Sequence, residues 1–347
     1  MKEKRFFLCI SLSFHYLCSQ IMSELTTRIY TKGDLLPEMT CRNFFHSAEL
    51  FHVCEQTPRL RAYMVVVEEE ESGKVVCHLL AMLRYRSSLF PPYLYTHCRI
   101  YGEGDYEEEN EQKEELFDMM LTALTRKLQH WVLYLEVSHL SQKMFGYRRF
   151  RQQGFFPVHW MSIHNSLHSR APEERISEKM KLQIERSQSR GVKTKEIESA
   201  EDFKKFIKLL RSHHWFKPKR YIPDGEFFRQ LMEGQNARLF VTEYHEKVIG
   251  CCACAYSKGD AYLWYSAFRR KSYLRLHPDI MTVWNALQQA YEYKYNHMFF
   301  MDVGLPFRRN SFREFILSFG GKPVSTYRWF RCNIRWVNGV LKWIYKS

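Results

Sequence analysis

From residue 176 onward the apolar positions alternate between helical and strand spacing, and the elements follow from that alternation. Ile176, Met180 and Ile184 share one face of a helix that Gly191 ends. VKTKEI reads as a short strand, and Ser199 caps a helix whose apolar face is Phe203, Phe206, Ile207 and Leu210, with Asp202 completing a capping box. EFFRQLMEG is a further helix. RLFVTEY, VIGCCACAYS and AYLWYSAF are three strands joined by short turns at HEK and KGD. After Pro278, a helix carries Ile280, Val283, Trp284, Leu287 and Tyr291. The strand HMFFMDVG, the helix SFREFILSF, two glycines and the strand PVSTYRWFR follow.

The first half has the same order. RIY opens it, CRNFFHSAELFHVCE is helical, and AYMVVVEEE, VVCHLLAMLRYR and YLYTHCRIYG are strands. Then come the helix KEELFDMMLTALTRKLQ, the strand WVLYLEVSH, the helix KMFGYRRFRQQ and the strand FPVHWMSIHN. Identities between the halves are few, but the repeated order of elements predicts a duplication. The expected organisation is an N-terminal domain at 23–168 and a C-terminal domain at 169–347, meeting near 165–175. Each should have its own mixed sheet; one continuous sheet, or halves that do not superpose, would sink the tandem reading.

Composition supports two cores: 347 residues, 45% hydrophobic and 16% aromatic. The ten cysteines include Cys251, Cys252 and Cys254 in one apolar strand, and no second CxxC lies at zinc spacing, so a reduced, metal-free chain is expected. His159, His164 and His168 match no metal template. Residues 1–22 read as a non-native or signal-like extension. Lys2, Lys4 and Arg5 precede FFLCISLSF, but no small-residue cleavage site follows, and Met22 opens the first strand segment. No stretch reaches the roughly 20 apolar residues of a membrane span, so a cytoplasmic location is expected. The net charge is +14, with nine Lys or Arg against one acid from Gly304 onward, which favours phosphate-bearing partners. The terminal NIRWVNGVLKWIYKS places Ile334, Val337, Leu341 and Ile344 on one helical face. It is expected either to pack on its own domain or to make peripheral contact with an anionic inner-membrane face.

The element order resembles the α/β fold of the GNAT superfamily of acetyltransferases, a mixed and mostly antiparallel sheet flanked by helices. Two copies in one chain resemble the Fem-type peptidyltransferases. FRQQGFF at 150–156 is similar to the segment that closes many such domains, and MDVGLPFRRNSFREFILSFGGKP at 301–323 is similar to a Fem-type segment. The resemblance implies an N-acyltransferase with an acyl-CoA or aminoacyl-tRNA donor as co-substrate, no tightly bound cofactor, and an amine acceptor such as a cell-envelope precursor.

In such folds an acyl carrier's arm enters between the fourth and fifth strands, and its phosphates sit at the following helix N-terminus. The first half offers YGEGDYEEENE there, whose acids repel phosphate, so no carrier is expected in it. The second offers AFRRKSYLRLHPD, which lacks the family's glycines but provides Arg269, Arg270, Lys271 and Arg275 as side-chain phosphate ligands. Asp302 is the candidate base or amine anchor; the alternative is a carboxylate that orders the Gly304–Pro306 turn. Trp215, Tyr265, Arg308 and Arg309 are candidate cleft residues. Tyr262, Trp264 and Tyr265 are expected to alternate between core and cleft. The Fem-type lysine after Phe is replaced by Ile316, and Arg308, Arg309 or Arg313 stand near enough in sequence to serve instead. The competing expectation is a degenerate, non-catalytic tandem domain that binds RNA, tRNA or an acidic partner.

Overall fold

A computed structural model describes residues 25–89, 92–107, 112–214, 221–301, 303–306 and 309–345. The first half contributes β1 (Leu25–Tyr30), α1 (Ala48–Gln56), β2 (Leu60–Glu69), β3 (Val75–Leu89), β4 (Pro92–Tyr101) and β5 (Asp105–Tyr106). It continues with α2 (Lys113–Leu128), β6 (Tyr134–Ser138), α3 (Tyr147–Gln152) and β7 (Phe156–Ser166). The second half contributes α4 (Glu178–Ser189), β8 (Lys193–Glu196), α5 (Ala200–His214), α6 (Gly225–Glu233), β9 (Ala237–Tyr244), β10 (Lys247–Ser257) and β11 (Asp260–Phe268). Then follow α7 (Pro278–Glu292), β12 (His297–Phe300), α8 (Ser311–Leu317), β13 (Lys322–Cys332) and α9 (Arg335–Ile344). The helix starts follow the sequence signals: Ser47, Ser177, Asp224 and Asn310 each accept a backbone N–H of the first turn. Among the described residues no helix is long and apolar enough to cross a membrane.

The strands join in one sheet, in the order β1-β2-β3-β4-β6-β13-β7-β12-β11-β10-β9-β8, with β5 on β3. Two separate sheets do not form, which corrects that part of the sequence expectation. The order nevertheless reads the same from both ends. β4 pairs parallel with β6, and β11 pairs parallel with β12. β13 then pairs antiparallel with β6, and β7 antiparallel with β12. Each half therefore lends its last strand to the other, and the two lent strands pair together over Lys322–Phe330. A continuous sheet is the consequence of this exchange, and the repeat survives within it.

Alternation along the strands builds three cores. On the outer face of the first half, α2 covers Val65, Leu79, Cys98, Ile100, Leu135 and Val137. On the outer face of the second, α7 with α4 and α8 covers Ile249, Cys252, Leu263 and Phe300. The third core is shared: α1, α5 and α6 pack together against inward-facing residues of β2, β3, β9, β10 and β11. Burial of these large side chains at about 1.5–3 kcal/mol each makes the shared layer as much a part of either half as its own sheet.

Candidate active site

The two parallel strand pairs at the heart of the halves are not alike. β4 and β6 stay in register over five residue pairs, His97↔Tyr134 to Tyr101↔Ser138. β11 and β12 pair only at Ala261↔Met298, Tyr262↔Phe299 and Leu263↔Phe300, after which the chain turns at Met301 while β11 continues to Phe268. The register of β11 against β10 also slips there: Cys254 faces Leu263 and Ala253 faces Tyr265, which makes Trp264 the extra residue of a β-bulge. The bulge turns Trp264 and Tyr265 to the same side, and both enter the shared core. Tyr262 packs against that core too, so the expected alternation of these aromatics between core and cleft is replaced by a common inward face. Tyr265 is buried against Phe228, at 5.1 Å between ring centroids.

Beyond β11 the chain passes through an exposed loop into α7. Arg269, Arg270 and Lys271 lie exposed on this loop, and Arg275 lies exposed on a 3-10 turn (Leu274–Leu276) just before α7. Arg270 Nε stands 3.3 Å from Asp279 Oδ2, a buried carboxylate in the first turn of α7. Asp279 complements the helix dipole itself. Asp302, Trp215 and Arg308 lie outside the described residues. The neighbours of Asp302 are anchored: Met301 enters the shared core and Val303 the outer core of the second half. Arg309 is exposed.

A second constellation escaped the sequence reading. On the inner face of the sheet centre, β4 presents His97, Arg99 and Tyr101, β6 presents Glu136, and β13 presents Arg328, all buried. Glu136 Oε2 is 3.0 Å from His97 Nε2, and its Oε1 is 3.0 Å from Arg328 and 3.5 Å from Arg99. Burial opposes its charge, but the cations around it, Arg99 foremost, hold the carboxyl well below its usual range. Arg84 of β3 donates to Tyr101 Oη at 3.2 Å, and Trp264 Nε1 donates to the same oxygen at 3.3 Å. That hydroxyl joins the polar face to the bulge of the second half. Burial lowers the His97 pKa to about 4, so the ring is neutral at pH 7.

Beside this face lies a cavity of about 280 Å³ between the halves. Gly102, His139 and Trp160 line it from the first half, and Lys258, Tyr262 and Arg328 from the second. Arg328 lies over the Trp160 ring at 4.0 Å. The signal that could have disclosed the polar face is a charge flanked by apolar residues within a strand, as in HCRIY, LEV and YRWF.

Among the described residues one cluster has metal-ligand chemistry: Cys41, His78 and Asp105, with ligand atoms within 4.8 Å of one another. Asp105 is already committed there. Its Oδ2 accepts the N–H groups of Arg42 and Asn43 at 2.6 and 2.7 Å, and its Oδ1 faces Lys258 at 3.4 Å, which clamps the 41–43 loop to the other half.

Residues 174–309 match the family described as Acetyltransferase (GNAT) domain. No curated protein sequence matches the chain significantly. Among solved structures, FemX aligns over 93% of this chain and 100% of its own, at 10% identity and a TM-score of 0.56. L-PGS from Bacillus licheniformis aligns over 82% and 86%, at 11% identity and a TM-score of 0.54. A tandem GNAT protein from the clavulanic acid biosynthesis pathway aligns over 89% and 99%, at 12% identity and a TM-score of 0.50. With a GNAT domain matched over residues 174–309 and FemX and a tandem GNAT protein as structural neighbours along most of its length, the chain has a Fem-like GNAT fold.

Proposed function

We propose that the protein is an N-acyltransferase whose donor binds the second half alone and whose amine acceptor enters along the polar inner face. The observation that carries this reading is the asymmetry of the two parallel strand pairs. Among the described residues β11 and β12 pair at three positions beside a bulge, against five for β4 and β6, and an acyl arm would enter where β11 and β12 part. Arg269, Arg270, Lys271 and Arg275 lie on the loop where a phosphate-bearing carrier, acyl-CoA or aminoacyl-tRNA, would rest its anionic end.

In the proposed reaction the amine nitrogen attacks the acyl carbonyl, the carrier's thiol or hydroxyl leaves, and one proton must leave the amine. Asp302, next to the end of β12, is our candidate for taking that proton or holding the ammonium before it is lost. Trp215, Arg308 and Arg309 are assigned to the cleft wall by the same reading, whereas Tyr265, buried in the shared core, is not. The FemX and L-PGS likenesses make a cell-envelope or lipid-linked amine the first acceptor class to assay.

The test is a binding and turnover panel of acyl-CoAs and aminoacyl-tRNAs. Reversing charge at Arg269, Arg270 and Lys271 together should weaken donor binding by at least about tenfold, the loss expected for charge-assisted contacts, and flatten its salt dependence. Unchanged affinity removes the loop from the site. Asp302→Asn should lower turnover about 100-fold with little change in thermal stability. Equal loss of activity and stability would return Asp302 to a turn-ordering role.

A specific observation favours a second reading. Asp279 in the first turn of α7 pairs with Arg270 and weakens the loop as a carrier site, which suits a degenerate domain that binds RNA or an acidic partner through its other basic residues without catalysis. Binding without turnover across the whole donor panel would select it.

A further inference from the structure

Helix α9 is tied to the protein through Asn338 and leaves most of its surface exposed. Asn338 donates to Gly154 O at 2.9 Å and accepts the Cys332 N–H at 2.9 Å, while Tyr345 just past the helix stacks on Phe156. On a 3.6-residue period, Arg335, Asn338, Gly339 and Lys342 form one arc, and Trp336, Val337, Val340, Leu341, Trp343 and Ile344 form the other. Burial cuts across these arcs: Val337, Asn338, Leu341 and Lys342 are half-buried, whereas Trp336, Val340, Trp343 and Ile344 of the apolar arc stay exposed, unlike the apolar face of a helix recruited to a core. No residue of α9 is buried, and Trp336 and Trp343 keep 76% and 75% of their surface.

A third tryptophan extends the patch. Asn333, just before α9, donates to Leu128 O and Val132 O, which fixes the turn that carries Trp131 next to the helix; Trp131 is 71% exposed. The segments 126–132 and 331–345 contain Arg126, Lys127, Arg331, Arg335 and Lys342 and not one Asp or Glu. Exposed tryptophans together with an acid-free basic surround match the apolar–polar boundary of an anionic bilayer, where indole rings sit at headgroup depth and cations meet lipid phosphates. A protein partner of ordinary acidic charge would meet the cations but leave the exposed apolar residues to find their own pocket.

We infer that α9 and the Trp131 turn form a docking surface for an anionic lipid bilayer, with the helix lying in the interface plane. The surface is independent of donor or acceptor identity and can be tested without an activity assay. The full chain is floated with vesicles of phosphatidylcholine alone or with about 30% phosphatidylglycerol, a strongly anionic surface. Wild-type protein is expected to float with the anionic vesicles and to shift its tryptophan emission to the blue.

Trp336→Ser with Trp343→Ser should lower the bound fraction at least about tenfold, and Arg335→Glu with Lys342→Glu should do the same and abolish the preference for anionic lipid. Because these four side chains are not buried, both variants should keep the wild-type melting temperature. If the tryptophan pair disturbs folding, the charge pair still decides the matter. Wild-type protein that stays unbound, or a tryptophan variant that floats as well as wild type, overturns the inference. So does a wild-type dimer in sedimentation that the tryptophan variant loses, which would make a second copy the occupant.

Discussion

Trp329→Ala is expected to destabilise the first half of the protein, although Trp329 lies near the end of the second. Its indole is fully buried in the outer core of the first half, stacked on Phe150 at 4.6 Å and edge-on to Tyr147 at 5.1 Å. Removing a buried ring of this size costs about 3–5 kcal/mol, a large part of an ordinary domain's stability. The strand exchange extends the expectation to fragments. A piece covering 23–168 lacks β13, so the edges of β6 and β7 that pair with it stand open. A piece covering 169–347 lacks β7, the partner of β12. Each alone should be aggregated or unfolded by circular dichroism, and the two co-expressed should purify as one complex. A fragment 169–347 that melts cooperatively by itself would show that the exchanged strand is dispensable and would restore two autonomous domains.

The order of elements was legible because it rests on local patterns: the cap at Ser199, the glycine after α4, and helical periodicity in α5 and α7. The exchange was not. PVSTYRWFR and FPVHWMSIHN look like final strands whichever half they join, since alternation selects a face and not a neighbour. The adjacent Trp264 and Tyr265 break strict alternation, and that break is the bulge. It is visible in the sequence as two large rings side by side, but its meaning depends on which strand lies across from it. The polar inner face shows the same limit. Arg99, Glu136 and Arg328 are separated by 37 and 192 residues along the chain, and only the placement of β13 beside β6 brings the last to the first two. The basic loop before α7 is legible from charge alone, whereas its countercharge Asp279, eight residues beyond Lys271, meets Arg270 only once the chain turns into the helix.

Acid should unfold the protein well before its carboxylates protonate. His46 and His97 are both fully enclosed, and burial lowers their pKa values to about 3 and about 4. Backbone N–H groups of Leu80 and Gly104 point at the two ring nitrogens of His46, at 3.0 and 3.2 Å, and a neutral ring can accept one of these. An added proton would face an N–H at both nitrogens. His97 meets Glu136 on one side, but the guanidinium groups of Arg84 and Arg99 oppose its charge. In the unfolded chain both rings take up protons near pH 6.5. Between that value and the folded values the unfolded state binds more protons, so stability is complete above about pH 6.5 and falls as the pH drops. Each histidine contributes about 1.4 kcal/mol per pH unit across this window, so the two remove about 4 kcal/mol by pH 5. His78, His164 and His277 are also lowered and act in the same direction. Glu136 and Asp105 have depressed folded values, so their contributions are lost only below the unfolded carboxylate range and are silent above pH 5. Urea midpoints measured at pH 7.5 and 5 should therefore differ strongly, and His97→Gln should flatten the dependence by about the share of one histidine. Equal midpoints at the two pH values would mean that the rings charge as easily folded as unfolded, and that the polar face is open to water.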